Sequence, residues 1–258
     1  MGLGTYLRLA RAGFVLAREG AFSLAEGQPI PPSAKLMVGI ARLIEKRDVR
    51  KTGRVTRLAN ALTRLGPVYV KLGQVLATRR DIIGFEIASD LAALQDALPP
   101  FDEKLVPGLL AQALGEKAAA LKDISPPLAA ASIAQVHKAR LQTPQGERMG
   151  AVKLLRPKIR ERFARDLDGL YALAGVAERF MPATRRFNGK KVVDALARSA
   201  LLEMDLRMEA AAMSELADNL GSDGDFGVPD VFWEQTGRSV LTTGWIDAIP
   251  IREVEKIQ

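Results

Sequence analysis

Gly150-Ala151-Val152-Lys153-Leu154-Leu155 is an apolar run with a single charge in its middle. Together with Arg148 and Met149 it has the length of a strand, opened by a turn containing Pro144 and Gly146 and ended by Pro157. If Lys153 is buried there, its ammonium needs a carboxylate or phosphate partner. On an edge strand it would instead lay its stem along apolar surface and keep its charge in water. A candidate partner lies downstream, in a helical pattern over residues 190–220. Leu202, Leu206, Met213, Leu216 and Leu220 fall within about 80° at about 100° per residue, and Glu209 lands inside that stripe. A carboxylate facing a core calls for a cation, because breaking a buried pair costs roughly 3–5 kcal/mol. In the other register Glu209 reaches solvent at the rim. Asp205 lies one turn before Glu209, a like-charge (i, i+4) pair that is unfavourable unless cations are near.

Outward from this pair, the chain changes character at Pro126-Pro127. An alanine-rich segment, 128–134, and a strand-like segment, 135–141, precede the lysine run. A long helix follows at 159–180, then the 190–220 helix, a Gly/Asp-rich turn at 221–227, and strand candidates at 228–234 and 238–245. The first 120 residues are helical by pattern: 3–18, 34–46, a stripe of Leu58, Leu62, Leu65, Tyr69, Leu72 and Leu76 broken at Gly66-Pro67, then 85–98. The last helix there is 103–114, with Asp102 as its cap and Gly115 as its stop. Strands grouped behind a helical extension give an α+β layout. Three segments result: 1–33, a basic amphipathic helix and a proline-rich linker; 34–120, the helical extension; and 121–258, the mixed lobe.

Composition removes whole classes of function. The 258 residues contain no cysteine and one histidine, His137, so disulfides, thiolate metal sites and His-based zinc clusters within this chain are excluded. No metal-ligating residue is assigned. No run of 18 apolar residues occurs, and the N-terminus lacks the features of a signal peptide, so the expected compartment is the cytoplasm. The net charge of +7 is unevenly placed: residues 1–80 hold 15 Lys+Arg against 4 Asp+Glu. Such a front end faces an anionic partner or is simply a solvated helical surface. In the 3–18 helix, Arg8, Arg11 and Arg18 share one side, set opposite Leu3, Phe14 and Leu16. That helix either lies in a membrane interface or docks on its own protein. The basic segment has no aromatic–basic interleaving, so nucleic acid is not an expected partner.

A strand lysine, a helix glutamate and a preceding backbone loop are the parts of a kinase N-lobe. Five segments in order closely resemble the UbiB/AarF family of atypical kinase-like proteins, associated with ubiquinone biosynthesis. They are Lys71-Leu-Gly-Gln74, Ala129-Ala-Ala-Ser-Ile-Ala-Gln-Val-His137, Ala151-Val-Lys153, Glu203-Met-Asp-Leu-Arg-Met-Glu209-Ala and Trp245-Ile-Asp-Ala-Ile-Pro250. The resemblance runs from about residue 55 to the end. It implies a kinase-like N-lobe, an antiparallel sheet with an αC-type helix, behind an extension carrying the KxGQ signature.

Residue by residue, the resemblance implies that Lys153 is the nucleotide lysine and Glu209 its partner. Glu203 and Asp205 would be the ExD pair facing Lys71 and Gln74, with the extension folded where a kinase receives a peptide. Ala129, Ala130, Ala131, Ser132, Ile133 and Ala134 would replace the glycine loop over the phosphates, and alanine, which disfavours positive φ, should make that loop stiffer. Trp245 and Ile246 would open the adenine-contacting hinge, although Gly244 stands where the family usually has an acidic residue. The implied cofactor is ATP or ADP with Mg²⁺. The implied partners are an anionic membrane surface or prenyl-quinone lipids, and ubiquinone-pathway enzymes, at the inner face of a bacterial membrane.

The chain ends at Gln258, before any catalytic-loop Asp with its Asn or any Asp-Phe-Gly metal ligand. The expectation is therefore a lobe without its C-lobe, from a truncated product or a partial gene, with metal ligands in the missing part. Enzymatic activity of the atypical kinase or ATPase kind stays open beside a non-catalytic scaffold that binds a membrane or a partner.

Overall fold

The computed structural model describes residues 3–25, 32–51, 54–92, 94, 99–180, 188–221 and 226–249. Its helices are α1 (Leu3–Arg18), α2 (Pro32–Ile44), α3 (Arg54–Leu65), α4 (Pro67–Ala77), the single turn α5 (Arg80–Ile83), α6 (Phe85–Ala92), α7 (Val106–Leu114), α8 (Ile159–Phe180), α9 (Gly189–Glu203) and α10 (Leu206–Leu220). Its strands are β1 (Leu121–Lys122), β2 (Ala129–Ala130), β3 (Ala134–Thr143), β4 (Gly146–Leu155) and β5 (Val240–Gly244). Two compact units interleave along the chain: Met1–Leu98 with Lys158–Ala200, and Pro99–Pro157 with Leu201–Gln258.

The first unit is helical. Between α3 and α4, Gly66 takes a φ of 113° and Pro67 fills the first helical position, so the apolar stripe continues across a break. Leu62, Leu65 and Tyr69 of that stripe are buried. Gly73, within Lys71-Leu-Gly-Gln74, sits at a close helix approach. A Cβ there would lie 2.4 Å from Leu94 Cδ1 and 2.8 Å from Leu62 Cδ1. The requirement at that position is steric. On α1 the buried residues are Ala12 and Ala17, whereas Leu7 and Phe14 are exposed. Phe14 therefore does not oppose the arginines: the Arg18 guanidinium carbon lies 5.8 Å from its ring centroid. The segment 85–98 is helical only to Ala92, and residues 93 and 95–98 lie outside the described residues, as do most of the 26–33 linker and the centre of the 221–227 turn.

In the second unit the Asp102 carboxylate accepts the Lys104 amide at 3.0 Å, opening a 3₁₀ turn that runs into α7. Gly115, at φ 59°, ends α7. The sheet is antiparallel throughout, in the order β1-β3-β4-β5, with β2 also paired to β3. Val136 stands opposite Lys153 and His137 opposite Val152; across β4, Lys153 faces Leu241 and Val152 faces Thr242. Ala139, Leu141, Val152, Leu154 and Val240 turn to one face and form a core with Val106 and Leu110 of α7. By the two-residue period of a strand, Lys153 turns to the other face.

Two expected elements differ. The 190–220 helix is broken at Met204-Asp205 into α9 and α10. The strand expected at 228–234 is reduced to one bridge, Val231 with Thr243, flanked by Gly244 N donating to Asp230 O and Phe232 N donating to Thr242 O. Pro229 has no amide to extend the ladder, and at Trp233 the chain turns into a 3₁₀ turn, Trp233–Gln235. No described helix is long and apolar enough to cross a membrane.

Candidate functional site

Lys153 sits on β4, an inner strand, so the edge-strand alternative does not apply. Its Nζ donates to both carboxylate oxygens of Glu209, at 2.9 and 2.7 Å. The pair is half open to solvent, with side chains 31% and 44% exposed. The expectation that Glu209 lies in a core-facing stripe is therefore corrected: Leu202 and Leu216 of that stripe are exposed as well. The break at Met204-Asp205 is the reason, because a helical wheel drawn through both segments assumes one continuous helix where there are two. Met204, Leu206 and Ala210 are the buried residues here.

The same break reverses the electrostatics of Asp205. Its carboxylate caps α10, accepting the Arg207 amide at 3.3 Å, and it takes Arg207 Nε and Nη2 at 2.9 and 2.7 Å. Arg238 Nε lies 3.7 Å away. Instead of repelling each other within one helix, Asp205 and Glu209 occupy the cap and first turn of α10, where the helix dipole favours negative charge. The Arg207 guanidinium holds the Asp205 carboxyl below the usual carboxylate range, against the opposing effect of burial, with smaller help from the Arg207 amide and Arg238. The Leu206 amide donates to Arg238 O at 3.1 Å, tying the helix start to the turn that enters β5. Lys71 and Gln74 lie on α4 in the first unit, three residues apart on one helix face, and Glu203 is the last residue of α9.

Beside Lys153 on its sheet face lie Val136 and Ala151, both half-buried, and Lys138. The Lys138 ammonium stands 4.4 Å from the Trp245 ring centroid, and the Trp245 amide donates to Met149 O at 3.0 Å. Ile246 is exposed. A small apolar floor thus has an ion-paired lysine at one end and a tryptophan at the other. The alanine-rich segment closes over β3: Ala129 pairs with Val136, Ala130 with Gln135, and the Ala131 amide donates to Ala134 O at 2.8 Å. Among the described residues, positive φ outside glycine occurs only at Asp123, Lys158 and Asn188, so this turn is built without it. Ser132, Ile133 and Ala134 are buried.

Sequence inspection missed the polar network on the reverse face of β3. His137, 1% exposed, donates from Nδ1 to Ser125 O at 2.8 Å, which leaves Nε2 to accept the Gln135 amide at 3.0 Å; Gln135 Oε1 accepts the Phe101 amide at 2.9 Å. Every polar atom named here is paired, so the network fixes loops 99–101 and 124–126 to the strand. The alternation Gln135-Val136-His137 was the available signal, since a strand must send the two polar residues to the face opposite Val136.

An antiparallel sheet whose lysine meets the glutamate of a packed helix is the N-lobe of a kinase-like fold. Comparison with known proteins agrees: residues 93–258 match the ABC1 atypical kinase-like domain, and the chain belongs to that family. It is 38% identical over 210 residues to a probable protein kinase UbiB of Marinobacter nauticus, covering 81% of this chain and 38% of the relative. It is 35% identical over 263 aligned residues to a probable protein kinase UbiB of Pseudomonas paraeruginosa, covering 100% of this chain and 49% of the relative. The chain spans about half the length, or less, of these curated relatives.

Because the Lys153–Glu209 pair is half open, Glu209→Ala should lower stability by no more than about 1 kcal/mol in chemical denaturation; a loss of about 3 kcal/mol would mean the pair is desolvated. Asp205 has its carboxyl lowered in the fold, so its contribution is present above the unfolded carboxylate value near about 3.9 and is lost as pH falls through the folded value. Asp205→Asn keeps a capping oxygen and removes the titration. Its stability should be lower than wild type at neutral pH and should decline less below about pH 4.

Proposed function

We propose that this chain is the nucleotide-binding lobe of a UbiB-type protein, taking ATP or ADP with Mg²⁺ and supporting ubiquinone biosynthesis at a membrane. The observation that carries it is the Lys153–Glu209 pair on an open sheet face, next to an alanine-rich turn and an apolar floor. A base would lie on Val136 and Ala151, bounded by Trp245 and Ile246. Lys153, oriented by Glu209, would meet the phosphates, and the backbone of Ala129, Ala130, Ala131, Ser132, Ile133 and Ala134 would cover them. The residues present fit a nucleotide: a cation for phosphate, amides for its oxygens and flat apolar surface for the ring. Mg²⁺ would accompany the nucleotide and supply charge neutralisation, with protein ligands for it expected outside this chain. In the full-length relatives' architecture the reaction would be ATP hydrolysis or phosphoryl transfer. Asp205 would place Glu209 by capping α10.

The membrane half of this proposal rests on the first unit. Leu7, Phe14, Ile40 and Leu43 are exposed on α1 and α2, Leu43 at 85%, among Arg11, Arg18 and Arg42. Exposed apolar side chains set among arginines suit an anionic lipid surface, where both burial and charge contribute. A scaffold without catalysis would use the same face, and the two readings separate on whether nucleotide binding depends on Lys153.

Lys153→Ala should weaken Mg-nucleotide binding by at least about tenfold in calorimetry, as expected for losing a charged hydrogen bond to phosphate, with little change in melting temperature. Equal binding by both proteins would favour the scaffold. Replacing Leu7, Phe14 and Leu43 with serine should reduce sedimentation with phosphatidylglycerol vesicles while leaving helicity intact; undiminished binding would remove the α1–α2 face from the proposal.

A further inference from the structure

The alanine-rich turn is clamped by a side chain outside it. Arg156, three residues beyond Lys153, donates from Nε and Nη2 to the carbonyl oxygen of Ala131, at 3.1 and 2.8 Å. Its own backbone amide donates to Ile133 O at 2.9 Å. The first two bonds converge on one acceptor, a geometry that the planar guanidinium allows and a lysine ammonium does not reproduce. No described peptide bond is cis. In the planar trans unit joining Ala131 to Ser132, a carbonyl pointed at Arg156 sends the Ser132 N–H in the opposite direction. The Ser132 amide makes no hydrogen bond to any described residue.

A glycine loop reaches its ligand through positive φ and can reshape around it. The turn here has no residue of that conformation, so its peptide planes are set by what holds them. We propose that Arg156 is a positioning residue: by drawing in the Ala131 carbonyl it aims the Ser132 amide as a fixed donor for a nucleotide phosphate. The inference rests on the nucleotide site proposed above. Lys153 lies two residues before the end of β4 and Arg156 is the first residue after it, so the lysine and the clamp on the turn come from one stretch of chain. The guanidinium also draws a carbonyl dipole away from the phosphates, which would otherwise be repelled by it.

The test compares wild type with Arg156→Ala and Arg156→Lys in the whole chain, after a thermal melt shows each to be folded. Binding of Mg-ATP and of adenosine is measured by calorimetry, and exchange of the Ala131 amide, which donates to Ala134, by hydrogen–deuterium exchange. Arg156→Ala should weaken Mg-ATP about tenfold, leave adenosine within about twofold and speed exchange at Ala131, with Arg156→Lys intermediate. Equal losses for Mg-ATP and adenosine would make Arg156 a general support of the lobe and overturn the proposal. Unchanged Mg-ATP affinity, or unchanged exchange at Ala131, would overturn it too. If wild type binds neither ligand, the nucleotide site itself fails and the aiming role falls with it. Faster exchange in the variant would then show that the clamp exists and that the ligand was wrong.

Discussion

The register of β3 against β4 is the constraint from which the site follows. With Val136 opposite Lys153, Val152 and Leu154 enter the core against Val106 and Leu110, and the lysine is carried to the other face. A slip of one residue would drive Lys153 into that core and expose its neighbours, so the apolar burial that stabilises the lobe also fixes where its cation stands. The tight hairpin joining the strands, Thr143 paired with Gly146 at φ 113°, leaves little freedom to slip. Chemistry on the open face is thus specified by packing on the closed one.

The second determinant is the interruption between α9 and α10. A continuous helix would have placed Asp205 and Glu209 as repelling neighbours. Broken at Met204-Asp205, it gives Asp205 the role of cap and lets α10 take its own orientation, held by buried Leu206 and Ala210 and by the amide-to-carbonyl bond to Arg238. Glu209 then meets Lys153 from a helix whose start is anchored at the entrance of β5. An acidic residue that reads as a second charged group in need of a cation is, in the fold, the device that positions the first.

Much of this was legible in the residues. The apolar run around Lys153, the break at Gly66-Pro67 and the Asp102 cap follow from local rules of period and capping, whereas the partnership of Lys153 with Glu209 was reached from a core position that Glu209 does not occupy. Harder to see was the break in α9–α10, since Met204-Asp205 contains neither glycine nor proline and the stripe of Leu202, Leu206, Leu216 and Leu220 runs across it with unbroken period. The helical wheel assumed continuity and so assigned Glu209 to a core it does not enter. Arg156 was invisible for another reason: its partner is a backbone carbonyl, and no pattern of side chains announces such a bond. The helical period of α1 was clear, but which side is buried depends on α3 and α8, which the segment itself does not encode.

β3 serves two masters, and that separates what substitution can alter. Its even-numbered residues Val136 and Lys138 look onto the candidate site, while Gln135, His137 and Ala139 belong to the packed side and its loops. Changes at 136 or 138 can retune what the open face accepts without disturbing the support beneath it. Changes at 135 or 137 would strand polar groups in the interior and loosen loops 99–101 and 124–126 together. One strand thus carries two sets of alternating positions under separate constraints, one answering to the open face and the other to the packed interior.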